Sequence, residues 1–389
     1  MLIAVALSLA IRHRAVAPVD VPAAYRDLYS VLALQIASAE SQLAPLNPQR
    51  SAQPLYAAEL LPANCNRGEA LRQPGAIMGV QLYLDRLQQL GIRGVTLPIG
   101  YPILIDRFPR SSEYLQFCRQ VVAEIRNRRM TLDIESAVMF TNSPFSPVQW
   151  DYSKMTLSDL TRERHDMIAR IVSQLAPDYL NLGSEPDTDA KLTTYAQLAT
   201  PSVYAQYIGA VMQGIDRGQT KIGTGIGTWD SLAFLDAELL LPIDFIALHI
   251  YPLDSASAST AIEACNRTRA RGQRLIIDEA WLFKMRPGET AGIAADTAVF
   301  GRDVFSFFAP LDQQFLHYLD DLARAEGIEY VSPFWSTYFF AYLPYNASTA
   351  TASYSDLVGQ VNAAAVQNLI AGSISGTGRY YAAVVAGRP

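Results

Sequence analysis

The segment Arg274-Leu-Ile-Ile-Asp-Glu-Ala-Trp281 decides how the rest of the chain is interpreted. Three apolar residues follow a glycine and basic residues, and they lead into two carboxylates and an aromatic residue. An apolar run of this kind is typical of a strand that is buried on both faces of a parallel sheet. A carboxylate at the end of such a strand is costly to bury without a partner, so its presence there needs a physical reason.

A second segment, Tyr179-Leu-Asn-Leu-Gly-Ser-Glu185-Pro186, repeats the pattern of an apolar strand that leads into a glutamate. We interpret Pro186 as a residue that blocks a helix at this point. Two strand-end glutamates, Glu185 and Glu279, are the minimum that hydrolysis of a glycosidic bond requires. This reaction is therefore the working hypothesis.

Strand and helix patterns alternate along the chain from about residue 54. The predicted strands are residues 55–61, 94–100, 131–135, 179–185, 221–229, 244–251, 274–279 and 329–335. Eight strands separated by helical patterns predict an α/β fold, a (β/α)8 TIM barrel. The competing fold, a doubly wound open sheet, usually has a Gly-rich phosphate-binding turn after its first strand, and this sequence has none. The glycines of residues 223–227 lie within the fifth strand, where we expect them to make room inside the barrel.

We divide the chain into residues 1–20, a signal-like N-terminus; residues 21–50, a helix that packs on the barrel; and residues 51–389, the barrel itself. Residues 1–10 are almost wholly apolar but too short to span a bilayer. Basic residues follow this stretch instead of preceding it, which is the reverse of the usual signal-peptide order. We nevertheless expect a secreted or periplasmic protein, because polymers are usually hydrolysed outside the cytoplasm. We also expect a monomer without a membrane span.

Composition and residue types exclude several classes of protein. The net charge is −6 and the chain lacks basic runs, so we expect no nucleic-acid partner. The three cysteines form no CxxC pair, and of the four histidines only His249 ends a strand, which argues against a metal site. Cys65 and Cys265 could form a disulfide only if the fold brought them together. There is no G-x-S-x-G nucleophile motif and no strand-end lysine, and we expect no cofactor.

In a barrel of this kind the active site lies at the C-terminal ends of the strands. The predicted catalytic residues there are Glu185 and Glu279, and the predicted substrate-binding residues are Glu135, Ser184, Trp229, His249, Tyr251 and Trp335. Six of these residues also have a purely structural explanation. Glu279 could form an ion pair, Glu185 could be a charge at the start of a helix, His249 could occupy a core position and Glu135 could anchor a loop. Trp229 and Trp335 could pack at the rim of the barrel. Strand alternation predicts that Asp278 points away from Glu279 and supports the scaffold.

The order of these strand-end residues resembles that of the clan A glycoside hydrolases, (β/α)8 barrel enzymes that include endo-β-galactanases, β-mannanases and β-glucanases. In that clan the acid/base glutamate ends the fourth strand and the nucleophile ends the seventh, as Glu185 and Glu279 would here. The His249-Ile-Tyr251 segment and Trp335 match features at the ends of the sixth and eighth strands. The resemblance covers residues 55–370. It implies a carbohydrate substrate, a β-linked oligo- or polysaccharide, and hydrolysis with retention of configuration.

One departure from the clan's pattern concerns Ser184, which stands where the clan usually has an asparagine that contacts the sugar 2-hydroxyl. A hydroxyl is shorter than an amide and has one donor instead of two. This substitution leaves open a carbohydrate-binding barrel that has lost catalysis. An unrelated barrel enzyme, such as a lyase or aldolase, is a further alternative, although it would need a phosphate or metal site.

The retaining mechanism makes a prediction about the pKa values of the two glutamates. The pKa of Glu185 should be raised by burial and by the neighbouring charge, so that it can act as an acid. Glu279 should be kept ionised by hydrogen-bond donors, of which Tyr251 is the candidate.

Overall fold

The computed structural model describes residues 20–46, 53–251, 254–286, 288–289 and 297–388. Within these residues, eight parallel strands pair in chain order and close into a barrel that helices surround. This confirms the predicted (β/α)8 TIM barrel, and the open-sheet alternative is wrong. The signal-like apolar segment, residues 1–10, lies outside the described residues.

The strands form the wall of the barrel and the helices its outer layer. The strands are β1 (Leu55–Glu59), β2 (Gly94–Pro98), β3 (Thr131–Glu135), β4 (Tyr179–Asn181), β5 (Lys221–Gly227), β6 (Phe245–Ile250), β7 (Arg274–Ala280) and β8 (Tyr330–Pro333). The α-helices are α1 (Arg26–Leu43), α2 (Ala76–Gln89), α3 (Ser111–Asn127), α4 (Leu157–Leu175), α5 (Pro186–Thr193), α6 (Pro201–Met212), α7 (Leu232–Glu238), α8 (Ser255–Ala270), α9 (Thr297–Gly301), α10 (Ala309–Glu326), α11 (Tyr354–Ala371) and α12 (Gly376–Val385).

The fourth strand is shorter than predicted because the chain turns soon after Asn181. Gly183 has φ 150°, and a Cβ at this position would lie 2.7 Å from the Tyr204 hydroxyl. Pro186 does not block a helix as predicted but occupies the first turn of α5, where a backbone N–H has no partner in any case. Glu185 therefore occupies the N-cap position of α5, although its side chain makes no capping hydrogen bond there.

The glycines of β5 allow close approach between β5 and β6. A Cβ at Gly225 would lie 1.9 Å from the carbonyl oxygen of Ala247, and one at Gly223 would lie 2.5 Å from the Phe245 ring. Phe245 is fully buried and packs inside the barrel with Tyr179 and Tyr330. These contacts confirm that the glycines make room inside the barrel.

The N-terminal helix α1 packs on the outside of the barrel against α8 and α10. It buries Leu28, Leu32 and Ile36, which recur at helical spacing, so the predicted amphipathic helix is present. Among the helices of the described residues, none combines the length and the apolar character that crossing a membrane requires.

The three cysteines are buried free thiols. Cys118 lies beside Cys65 and, together with burial, raises the pKa of the Cys65 thiol well above its usual value, a proximity that their sequence spacing does not reveal.

Candidate active site

A cavity of about 630 Å³ opens at the C-terminal ends of the strands. The predicted catalytic and substrate-binding residues that line it are Glu135, Ser184, Glu185, Trp229, His249, Tyr251, Glu279 and Trp335. These are all eight of the predicted residues, and they come from strands or strand ends spread around the barrel. The fold therefore brings together every residue that the sequence singled out.

Glu185 and His249 form the first of two hydrogen-bonded pairs in this cavity. The Oε1 atom of Glu185 lies 2.9 Å from Nδ1 of His249, whose side chain is almost fully buried. Burial acts to raise the pKa of Glu185, but the hydrogen bond and positive charge of His249 outweigh it, and the pKa is lowered. This is the reverse of the expected shift. The prediction that the pKa of Glu185 is raised is wrong, because it left out the imidazole in contact.

The pKa of His249 itself is raised well above its usual value. Burial alone would lower it, but the carboxylates of Glu279, Asp278 and Glu185 stabilise the imidazolium and outweigh burial. These contacts therefore favour the protonated imidazole, whose Nδ1 pairs with the carboxylate of Glu185.

Glu279 and Tyr251 form the second pair. The Tyr251 hydroxyl donates a hydrogen bond to Oε1 of Glu279, as expected. Burial raises the pKa of Glu279 to about 7, assisted by the charge of Glu185 and opposed by His249 and by the Tyr251 hydrogen bond. Glu279 is thus only partly ionised at pH 7 and becomes fully ionised above it.

Glu135, at the end of β3, lies beside Glu279, with one side-chain oxygen of each within 4.8 Å of the other. Burial, followed by the charge of Glu279, raises the pKa of Glu135 well above its usual value and so favours its protonated form. One atom each of Glu135, His249 and Glu279 lies within 4.8 Å of the others, so this three-residue cluster could also hold a metal ion.

The prediction that strand alternation turns Asp278 away from the site is wrong. The pairing of β6 with β7 shifts between Ala247 and His249, so that β7 contains one extra residue before Glu279. Such a bulge disrupts the alternation of side chains along a strand. Asp278 is fully buried inside the barrel, with Oδ1 3.5 Å from Nε2 of His249. Its carboxylate therefore stabilises the positive charge of His249.

Asn181, which the sequence analysis did not select, holds Ser184 in place. Its side-chain amide donates to Oγ of Ser184 at 2.7 Å and to the carboxylate of Asp278, and its carbonyl oxygen accepts from the Gly183 N–H at 2.9 Å. Ser184 lines the cavity, but its hydroxyl is bound to this amide.

Glu59 is a further carboxylate of the cavity that the sequence analysis missed. It ends β1, is almost fully buried, and accepts a hydrogen bond of 2.9 Å from the side chain of Asn64. Burial raises its pKa to about 7, with a further contribution from the charge of Glu279. Glu59 follows the same pattern of a strand that ends in a glutamate as Glu279, and that pattern could have identified it.

Two tryptophans lie at the rim of the cavity, both half-buried. The ring of Trp335 lies 5.8 Å from that of Tyr251, in a segment where Trp335 adopts a left-handed backbone conformation with φ 46°. Trp229 donates from Nε1 to Asp187 at 3.3 Å. Both tryptophans border the Tyr251–Glu279 pair, because the ring of Trp229 lies 6.2 Å from that of Tyr251.

No family model and no curated protein sequence matches this chain. Solved structures do resemble it. The exo-β-1,4-mannosidase Op5Man5 from Opitutaceae bacterium strain TAV5 superposes with a TM-score of 0.54 at 15% identity, over 87% of this chain and 60% of that one. A GH5_18 protein from Bifidobacterium longum subsp. longum ATCC 55813 gives a TM-score of 0.54 at 13% identity, over 86% of this chain and 79% of that one.

The chain therefore spans three fifths of the length of the Opitutaceae mannosidase. At these identities the similarity concerns the fold. With the closed barrel in chain order, it shows that this chain shares the (β/α)8 barrel fold of these two structures.

Proposed function

We propose that the protein is a retaining hydrolase of β-linked glycosides, with Glu279 as nucleophile and Glu185 as acid/base. The observation that carries this proposal is that Glu185, which follows β4, and Glu279, in β7, line one cavity and both lie close to His249. Double displacement needs two carboxyl groups about 5–5.5 Å apart, one on each side of the scissile bond.

In the first step the ionised carboxylate of Glu279 attacks the anomeric carbon and forms a glycosyl-enzyme intermediate. A hydrogen bond from Tyr251 holds this carboxylate in position. The charge of His249 and the Tyr251 hydrogen bond favour the ionised form, which burial otherwise opposes. These two groups make a buried glutamate usable as a nucleophile near neutral pH.

The leaving oxygen must receive a proton in the same step, and the pair of Glu185 and His249 supplies it. In the free protein this proton lies on His249, and it moves across the 2.9 Å hydrogen bond from Nδ1 to Glu185. Glu185 then donates its proton to the leaving group as the glycosidic bond breaks. In the second step Glu185 takes a proton from the attacking water, which restores the pair when that proton returns to His249.

The test is hydrolysis of a panel of β-linked glycans and aryl β-glycosides by the purified protein, with nuclear magnetic resonance to follow the anomeric configuration of the first product. We expect turnover with retention, and its loss in Glu279→Ala and in Glu185→Ala. Glu69→Ala, which removes an exposed glutamate outside the cavity, is the matched control and should remain active. Turnover that survives both cavity substitutions would reject the assignment.

One observation favours a second candidate, a carbohydrate-binding barrel without catalysis. The hydroxyl of Ser184 is engaged by Asn181, so the contact that clan A makes with the sugar 2-hydroxyl lacks its usual amide. Calorimetric binding of an oligosaccharide by the unmodified protein, without any turnover over days, would favour this candidate over the hydrolase.

A further inference from the structure

The cavity has two sides of different chemistry. Carboxylates and the imidazole occupy its floor, whereas one wall consists of the rings of Phe140, Phe145, Phe283, Phe300 and Tyr354, which we call the aromatic wall. These rings contact one another in sequence, with centroid distances of 5.4 Å from Phe140 to Phe145, 5.1 Å from Phe145 to Phe300, and 5.4 Å from Phe300 to Phe283. Tyr354 also packs on Phe145, at 5.9 Å.

The aromatic wall is continuous with the reacting groups. The ring of Phe283 lies 4.7 Å from that of Tyr251, whose hydroxyl binds Glu279. The rings therefore lead from the proposed nucleophile outward along one side of the cavity. A group joined to the sugar at the cleaved bond can lie against them while the sugar occupies the floor.

The aromatic wall lacks the features that a second sugar ring would need. Its rings meet edge-to-face, at interplanar angles between 62° and 88°, so they form an uneven apolar surface instead of one flat platform for a pyranose. From residues 140–147, the side chains that line the cavity are Phe140, Pro144, Phe145 and Pro147. Sugar hydroxyls buried against such a surface would lose their hydrogen bonds to water without replacement, which is costly.

We propose that the aromatic wall binds an apolar aglycone, so that the substrate is a β-glycoside of an alkyl or aryl alcohol and the leaving group is that alcohol instead of a further sugar. This inference rests on the proposed hydrolase function and narrows it. The cavity volume of about 630 Å³ suits a compact ligand of this kind, since small-molecule sites occupy about 300–1,000 Å³. Burial of the alkyl or aryl group supplies the binding free energy.

The experiment compares methyl and hexyl β-glycosides with the β-linked disaccharide of the same sugar, for glucose, mannose and galactose in turn. All three leaving groups are alcohols, so differences in rate report contacts of the leaving group more than its chemistry. We expect kcat/KM for the hexyl glycoside to exceed the values for the methyl glycoside and the disaccharide by about 10- to 100-fold, chiefly through KM.

Phe145→Asn tests the aromatic wall directly, because Phe145 contacts three of its other rings and lies in a segment without helix or strand. We expect this variant to reduce the ratio of hexyl to methyl kcat/KM to within about threefold, and Phe145→Leu to keep most of it. Tyr29→Ala is the control. Tyr29 stacks on Phe308 outside the cavity, and its loss should leave the ratio unchanged.

The outcomes separate this inference from the proposed function. Equal or better hydrolysis of the disaccharide or the methyl glycoside would overturn the aglycone inference and leave the hydrolase in place. If Phe145→Asn kept the same preference for the hexyl glycoside over the methyl glycoside, the aromatic wall would not be the source of that preference, and the aglycone inference would be overturned. A complete lack of hydrolysis of all these glycosides would overturn both.

Discussion

Removal of one hydroxyl should shift the pH dependence of the proposed reaction. In Tyr251→Phe, Glu279 loses the donated hydrogen bond, while the ring contacts of Tyr251 with Phe283 and Trp335 can remain. A hydrogen bond to a charged group contributes about 1.5–3 kcal/mol, and one pKa unit corresponds to about 1.4 kcal/mol. The hydrogen bond stabilises the ionised form, so its loss raises the pKa of Glu279 and extends the protonated, inactive form to higher pH.

The assay is the pH profile of kcat/KM with an aryl β-glycoside. In the unmodified protein the pKa of Glu279, about 7, places the acid limb near neutrality, with activity lost as pH falls through it. In Tyr251→Phe we expect that limb to move up by about one to two pH units, with a loss of about 5- to 50-fold at pH 7.

Tyr338→Phe is the matched control for this prediction. Tyr338 lines the same cavity and is as deeply buried as Tyr251, but its ring stacks on Trp281. The acid limb of the pH profile of kcat/KM for Tyr338→Phe should coincide with that of the unmodified protein. An acid limb at the same pH in Tyr251→Phe would refute the reasoning, because Tyr251 would then contribute nothing to the ionisation of Glu279.

Three further outcomes follow from the same contacts. In Glu185→Gln, kcat/KM should fall by about 10²- to 10⁴-fold for alkyl glycosides and much less for dinitrophenyl glycosides, whose leaving group needs no proton; an equal loss for both would contradict the acid role. Exhaustive dialysis against a chelator should leave kcat/KM unchanged, because the mechanism uses Glu279 as a free nucleophile; a loss that an added divalent metal restores would instead assign the three-residue cluster to metal binding. Lys284→Met leaves Asp303 and Asp312 buried without their shared cation and should lower the free energy of unfolding by about 3–5 kcal/mol in urea titrations, whereas Lys191→Met at an exposed pair should change it by less than about 0.5 kcal/mol.

The sequence predicted the barrel and the meeting of Glu185 and Glu279 for one physical reason. In a closed parallel barrel all strand ends face one side, so residues far apart in the chain converge if they share that position. Glu59 satisfies the same condition at the end of β1. It was missed because its strand, with two alanines, carries a weak apolar signal.

Other features depend on contacts that a sequence pattern does not contain. The extra residue in β7 lets Asp278, on the same side of the strand as Ile276, and Glu279 both face the barrel interior, whereas strand alternation assumes that no such bulge exists. The amide of Asn181 reaches Ser184 because Gly183 bends the chain between them. The shift of the Glu185 pKa likewise depends on a 2.9 Å distance to His249, across 64 positions of the chain.

The balance of charge in the cavity explains why His249 governs both proposed catalytic groups. Several buried carboxylates cannot all ionise close together, so some must keep their protons. Glu135 does so with a pKa well above its usual value, and Glu59 does so in part with a pKa of about 7. The single imidazolium then stabilises the charges that remain, most strongly that of Glu185, which it contacts directly, and through its charge that of Glu279. A proton that passes from His249 to Glu185 removes both the imidazolium that lowers the pKa of Glu279 and the carboxylate that raises it, so the Tyr251 hydrogen bond then carries more of the stabilisation of the ionised nucleophile.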